Sequence, residues 1–213
     1  MNYDFPLSSD LIEQGDIFMN IPCVAFDFSG ELSVLEEGAK PVNLTWEEIV
    51  NDKKDVAAIL GIDSVPAIVA TQTCDAQSKE YVTLCQILEL SEIKPFREYK
   101  QRTTKRLAEE LITQHRKMPG FFYLPPDSKV GFSDRMAVAF ANTIRVRRKS
   151  LEKFVANRKG RLNKMAYEHF REKLSHFFHR YAWNEWYILN KEEIEAHKEY
   201  CTYPPNKLFD HQK

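Results

Sequence analysis

The stretch PAIVATQTCDAQSKEYVTLCQI, Pro66–Ile87, gathers Thr71, Gln72, Thr73, Cys74 and Asp75 directly behind an apolar run. Hydroxyls, a thiol and a carboxylate in one short segment are the groups from which a nucleophile, a general base or a phosphate contact is built. The run before them reads as a buried strand entered at Pro66, and Tyr81–Ile87 as a strand returning. Alternate side chains of a strand share a face, which predicts Thr71, Thr73 and Asp75 on one side, with Gln72 and Cys74 on the other. On that reading Asp75 is a general base, or orients one, and a threonine hydroxyl binds phosphate. The competing reading is a turn, in which Thr73 and Asp75 bond local backbone N–H groups and Cys74 packs as a small hydrophobe. Both readings stand on the sequence alone.

The partners such chemistry needs all come later in the chain. The six histidines, from His115 to His211, follow Cys74, so a base such as His169 reaches it only through folding. His169 and Arg180 fall about three helical turns apart on a similar face. They either anchor a helix to the strands or, in the sharper reading, bring a base and a cation to phosphate. His176 and His179 share a helix face too, but no recognised ligand spacing accompanies them, so neither a metal nor another cofactor is expected. From Arg145 to Lys164 the only acid is Glu152. Arg145, Arg147, Arg148, Lys149, Arg158, Lys159 and Arg161 are therefore candidate phosphate contacts, with Phe154 and Tyr167 placed to stack on bases. A solvated helix face, or a dock for the acidic part of the chain, is the alternative.

That acidic part is pronounced. The net charge of −1 over 213 residues hides 17 acids against five bases up to Phe96, and 25 bases against 14 acids from Arg97 onward. Either the two parts meet electrostatically or the basic part faces a polyanion. Hydrophobic content of 43% and charged content of 29% are those of a globular protein. The apolar runs are far too short to cross a bilayer, and the N-terminus has acids where a secretory signal has bases, so a cytoplasmic protein without membrane contact is expected. The four cysteines, Cys23, Cys74, Cys85 and Cys201, show no CxxC spacing and are expected to be free thiols.

The elements that must position these residues follow from local pattern. Ile21–Phe28 alternates as a strand, and Leu32–Leu35 is expected to pair back across Ser29–Gly30. Thr45 caps a helix that Gly61 closes. Phe96–Lys117 reads as a charged helix, Phe121–Pro126 as a short strand, Lys129–Asp134 as a turn and Arg135–Val146 as a longer strand. Leu162–Tyr181 has the clearest helical spacing, and Glu192–Glu199 reads as a short helix. Strands thus gather in residues 1–146 and helices in a basic region, 147–213, packed with them as one unit. The class is α+β: a small antiparallel barrel or strongly bent sheet with a helical C-terminal part on it.

Gly15–Phe18 (GDIF), the proline-led strand Pro66–Ala70 and Tyr81–Ile87 (YVTLCQI) together resemble the opening of MazF/PemK-type toxins. That resemblance implies an SH3-like barrel and cleavage of single-stranded RNA, with Thr71 or Thr73 near the family's hydroxyl position. The family's arginine before the proline-led strand has no counterpart, since Asp63, Ser64 and Val65 stand there. A second resemblance spans more of the chain. QTCD (Gln72–Asp75), YLPP (Tyr123–Pro126) and FFxR (Phe177, Phe178, Arg180), with Tyr167 and His169 upstream, is similar to a group of bacterial proteins without an assigned activity. Together these give one expectation: a nucleic-acid-binding, toxin-like or defence-associated protein, in its sharper form a metal-independent endoribonuclease. Its catalytic set would come from Thr71, Thr73, Asp75, His169 and Arg180. The alternative is a non-catalytic interaction subunit that binds a partner protein or a second copy of itself.

Overall fold

The computed structural model describes residues 2–24, 29–35, 40–52, 56–93 and 118–179. The helices read at Phe96–Lys117 and Glu192–Glu199, as well as Arg180 and Cys201, lie outside these residues. Among them the chain is α+β, with antiparallel strands in two sheets.

The larger sheet has seven strands in the order β1-β10-β2-β6-β7-β9-β8. They are β1 (Tyr3–Asp4), β2 (Asp16–Cys23), β6 (Asp63–Val69), β7 (Tyr81–Glu89), β8 (Phe121–Leu124), β9 (Met136–Arg147) and β10 (Arg158–Leu162). The smaller sheet, in the order β4-β3-β5, holds β3 (Glu31–Leu35), β4 (Val42–Thr45) and β5 (Ala57–Ala58). The helices are α1 (Trp46–Asp52), α2 (Thr73–Ser78), α3 (Arg148–Lys153) and α4 (Lys164–His179).

Both faces of the large sheet are covered. On the inner face Ile17, Ile68, Cys85, Val138 and Phe140 meet Phe170, Leu174 and Phe177 of α4. Phe170 stands edge-on to Phe122 and Phe140 at 5.3 and 5.7 Å. On the outer face Phe18, Val69, Val82 and Leu84 pack with Ala76 of α2 and Leu151 of α3. Strands buried on two sides read as continuous apolar runs, which is why Ile17 and Phe18, or Ala67, Ile68 and Val69, are buried in succession.

The sheet bends strongly but does not close through its backbone. β1 pairs only with β10 and β8 only with β9 among the described residues. The two ends are instead joined by a side chain: the Tyr3 hydroxyl donates to the Pro125 carbonyl at 2.8 Å. Inside that bend, Gly160 of β10 runs against Val130, whose Cγ2 would be 3.1 Å from an added Cβ.

Several sequence expectations shift. Of the strand read at Ile21–Phe28, Ile21–Cys23 belongs to β2, which starts earlier at Asp16, while residues 25–28 lie outside the described residues. Glu31–Leu35 is a strand that pairs with β4 and β5, and the residues it was expected to meet across Ser29–Gly30 lie outside the described ones. Thr45 does cap α1: its hydroxyl accepts from the Glu48 N–H while Glu48 accepts from the Thr45 N–H. The helix is described as far as Asp52 and does not reach Gly61, since Ala57 and Ala58 join β3 and the Ile59 N–H bonds the Ser33 carbonyl. β8, the turn closed by Asp127 and Phe132, β9 and α4 follow the expected pattern. β10 does not. It arises within the region read as helical and lies between β1 and β2, so residue 146 marks no boundary in the sheet.

Candidate functional site

The segment Thr71–Asp75 is divided between a strand end and a helix. Thr73, Cys74 and Asp75 open α2, so the alternation expected of a strand stops before them. Thr71 is committed to its neighbour strand: its Oγ1 accepts from the Thr83 N–H at 2.7 Å, and its hydroxyl donates to the Thr83 carbonyl at 3.4 Å. Thr73 Oγ1 accepts from the Gln14 N–H at 3.3 Å, and the Gln14 side chain donates to the Ala70 carbonyl at 2.7 Å. Cys74 is exposed, and Ser78 donates to its carbonyl. Asp75 is half-buried, and its carbonyl accepts from the Lys79 N–H in closing the helix. His169 is exposed on α4. Thr71 and Thr73 thus serve the connection between strands, and no hydrogen bond or ion pair among the described residues joins Asp75 to His169.

The basic segment separates into two populations. Arg158 and Arg161 turn inward to Asp16, which is completely buried. Arg158 Nη1 lies 3.0 Å from Asp16 Oδ2, with about 1% of its side chain exposed. The same guanidinium donates to the carbonyls of Leu7, Asp10 and Leu11. Arg161 Nε lies 2.5 Å from Asp16 Oδ1, and its Nη1 lies 2.8 Å from Glu13. Burial works to lower the Arg161 pKa, but Asp16, Glu13 and Asp10 outweigh it and raise it. For these two arginines the charge division of the chain is resolved internally: a basic strand holds an acidic segment.

The second population stays outside. Arg145, Arg147, Lys149 and Lys159 are exposed. Lys159 lies on β10 and donates to the Ala156 carbonyl. Arg148 is half-buried and tied to the Lys79 carbonyl and to Glu152. Arg145 and Arg147 alternate along β9 opposite Thr83 and Tyr81 of β7, so all four share one face. That face is the inner one, because Cys85, the next residue in step with Thr83 and Tyr81, belongs to its core. The Arg145 guanidinium lies 4.2 Å from the centre of the Tyr81 ring. Tyr81 and Glu80 beside it raise the Arg147 pKa above the ordinary guanidinium value. Glu80 lies 3.9 Å from Arg147 with both side chains mostly exposed, a pair worth little in water.

The arrangement is a half-buried aromatic ring with two exposed guanidinium groups, at the open end of a bent sheet. It can hold a planar group against the ring and an anion beside it. Tyr81 had no mark in the sequence beyond opening a strand, since its partners stand more than sixty residues away. Lys173 was also missed. It lies buried on α4, and burial lowers its pKa to about 8. No group of three metal-ligating side chains occurs among the described residues. No described helix is long and apolar enough to cross a membrane. No protein-family model matches the chain, and no curated protein matches it.

Proposed function

We propose that the protein binds single-stranded nucleic acid on the inner face of the large sheet, with Tyr81 as the stacking platform and Arg145 and Arg147 as phosphate contacts. The observation that carries this reading is the Arg145–Tyr81 stack at 4.2 Å beside the exposed Arg147. Aromatic rings interleaved with cations are what sequence-tolerant single-strand binders use. Of the seven basic residues read as nucleic-acid contacts, Arg158 and Arg161 drop out, because their charges are already met by Asp16 and Glu13.

The check is fluorescence anisotropy with labelled RNA and DNA oligonucleotides of mixed sequence. Binding should weaken as salt rises, and Tyr81→Ala should lower affinity roughly tenfold, from the ~1–3 kcal/mol that one base stacked on an aromatic ring contributes. Absence of salt-sensitive binding to either nucleic acid sinks the proposal. In its stronger form this reading makes the bent sheet an SH3-like barrel in a toxin-like or defence-associated endoribonuclease of the cytoplasm, with Asp75 or His169 as base. Incubation of the same RNA with the protein in EDTA tests that form, and RNA left uncut rejects it.

One observation favours the alternative of a protein-interaction subunit. Val42, Trp46, Val50, Ile59, Leu60 and Ile62, all on or beside the small sheet, expose much of their apolar surface. Binding of nucleic acid by the large sheet and of a protein by the small one are compatible.

A further inference from the structure

We propose that the binding face has a second bank on α4, formed by Tyr167 and Arg171, so that a single strand crosses from Tyr81 to Tyr167. This rests on the nucleic-acid reading above and extends it to where the strand runs.

The placement follows from one row of residues across four neighbouring strands. Arg145 of β9 stands opposite Thr83 of β7. The N–H groups of Ala70 and Thr71, just past the end of β6, bond the Thr83 carbonyl at 2.9 and 3.2 Å. The Gly15 N–H, just before β2, bonds the Val69 carbonyl at 2.9 Å. The next row inward is Ile17, Ile68, Cys85 and Thr143, of which the first three are buried core. The outer row is therefore where the core of the inner face meets water. Ala70, Thr71 and Thr83 are half-buried there, as a floor is.

Tyr167 closes the far end of this row. Gly15 has φ +92°, and a Cβ added there would lie 3.5 Å from Tyr167 Cδ2. The Tyr167 ring thus lies against the backbone at Gly15, just before β2. With strands about 4.8 Å apart, Gly15 and Arg145 are about 14 Å apart across the row. Arg171 lies over the Tyr167 ring at 5.4 Å from its centre, and among the described residues its ion-pair partner is Glu168, 3.6 Å away and mostly exposed. Each end of the floor therefore carries the same unit, a half-buried tyrosine with an exposed arginine against it. Thr71 has its hydroxyl committed to the Thr83 backbone and so does not read a base. That fits a ligand recognised by stacking and phosphate rather than by sequence.

A strand long enough to reach both tyrosines gains the second contact at high effective concentration, whereas a dinucleotide reaches one bank only. The experiment compares a dinucleotide and an octanucleotide of uridine on the wild-type protein, Tyr81→Leu, Tyr167→Leu and Arg171→Gln. Wild type should bind the octamer at least tenfold more tightly than the dimer. Tyr167→Leu and Arg171→Gln should each remove most of that gain, as Tyr81→Leu does. Arg171 is an exposed side chain, so its variant keeps the test valid even if Tyr167→Leu unfolds. If the octamer depends on Tyr81 but neither Tyr167→Leu nor Arg171→Gln changes its affinity, the second bank is refuted while the binding reading stands. If the wild type binds neither oligonucleotide, both fall.

Discussion

Thr71 holds together the point where β6 has ended and β7 has not yet finished pairing. Its Oγ1 satisfies the Thr83 N–H on the side where β6 has ended at Val69. Valine keeps the shape of threonine but leaves that N–H unpaired, and an unmet, partly buried donor costs about 1–3 kcal/mol. Thr71→Val should therefore lower stability by that amount in urea denaturation, and Thr71→Ser should restore most of it. A catalytic hydroxyl behaves differently: its loss abolishes turnover without moving the denaturation midpoint. The distinction was not readable from QTCD, because the same threonine type suits a phosphate contact and a strand connector. Asp75 was hidden for a related reason. Strand alternation predicts where a side chain points only while the strand lasts, and here α2 begins at Thr73.

Between elements, the tie from β10 to β2 is the feature with the largest consequence for folding. Asp16, on β2, faces both Arg158 and Arg161 on β10, and Arg158 also holds the carbonyls of Leu7, Asp10 and Leu11. One guanidinium thereby fixes the segment before β2 to a strand more than 140 residues later. Breaking a buried ion pair from one side leaves charge uncompensated, at about 3–5 kcal/mol. Asp16→Asn should destabilise by that order in chemical denaturation, with the loss persisting in high salt, because buried pairs are screened weakly. Arg145→Gln, at an exposed side chain, should leave stability within about 0.5 kcal/mol of wild type. β10 itself was illegible for a physical reason. Its three buried positions are Arg158, Gly160 and Leu162, so only one of them carries an apolar side chain and the period of two never appears. The long apolar β9 and the stripe of α4 were legible because dispersion and burial act on them directly.

Across the whole molecule, the division into an acidic and a basic part does two jobs. Its inward half stitches β10 to β2, and its outward half leaves Arg145, Arg147 and Lys149 on the surface. The buried titratable groups set how far that assembly survives in alkali. Burial pushes the Cys85 thiol up from 9.0 to about 12, and burial raises the Tyr3 hydroxyl as well. For both, the folded protein holds a proton that the unfolded chain gives up earlier. Their contribution to stability is complete below the unfolded value and is lost as pH climbs toward the folded one. Lys173 has the opposite sign: with its pKa lowered to about 8, the unfolded chain holds the extra proton, so stability rises from about pH 8 until the unfolded lysine also deprotonates. The wild-type protein should therefore lose Cys85-linked stability between pH 9 and 12, partly offset at the start of that range by Lys173. Cys85→Ala separates the two. At pH 7 it should be less stable than wild type by the small cavity it leaves, and the deficit should shrink steadily from pH 9 upward, because alanine has no proton to lose. A deficit that stays constant from pH 7 to 11 in denaturant titrations would mean that the thiol ionises as easily in the folded chain as in the unfolded one, contrary to its place among Ile68, Ile87 and Phe140.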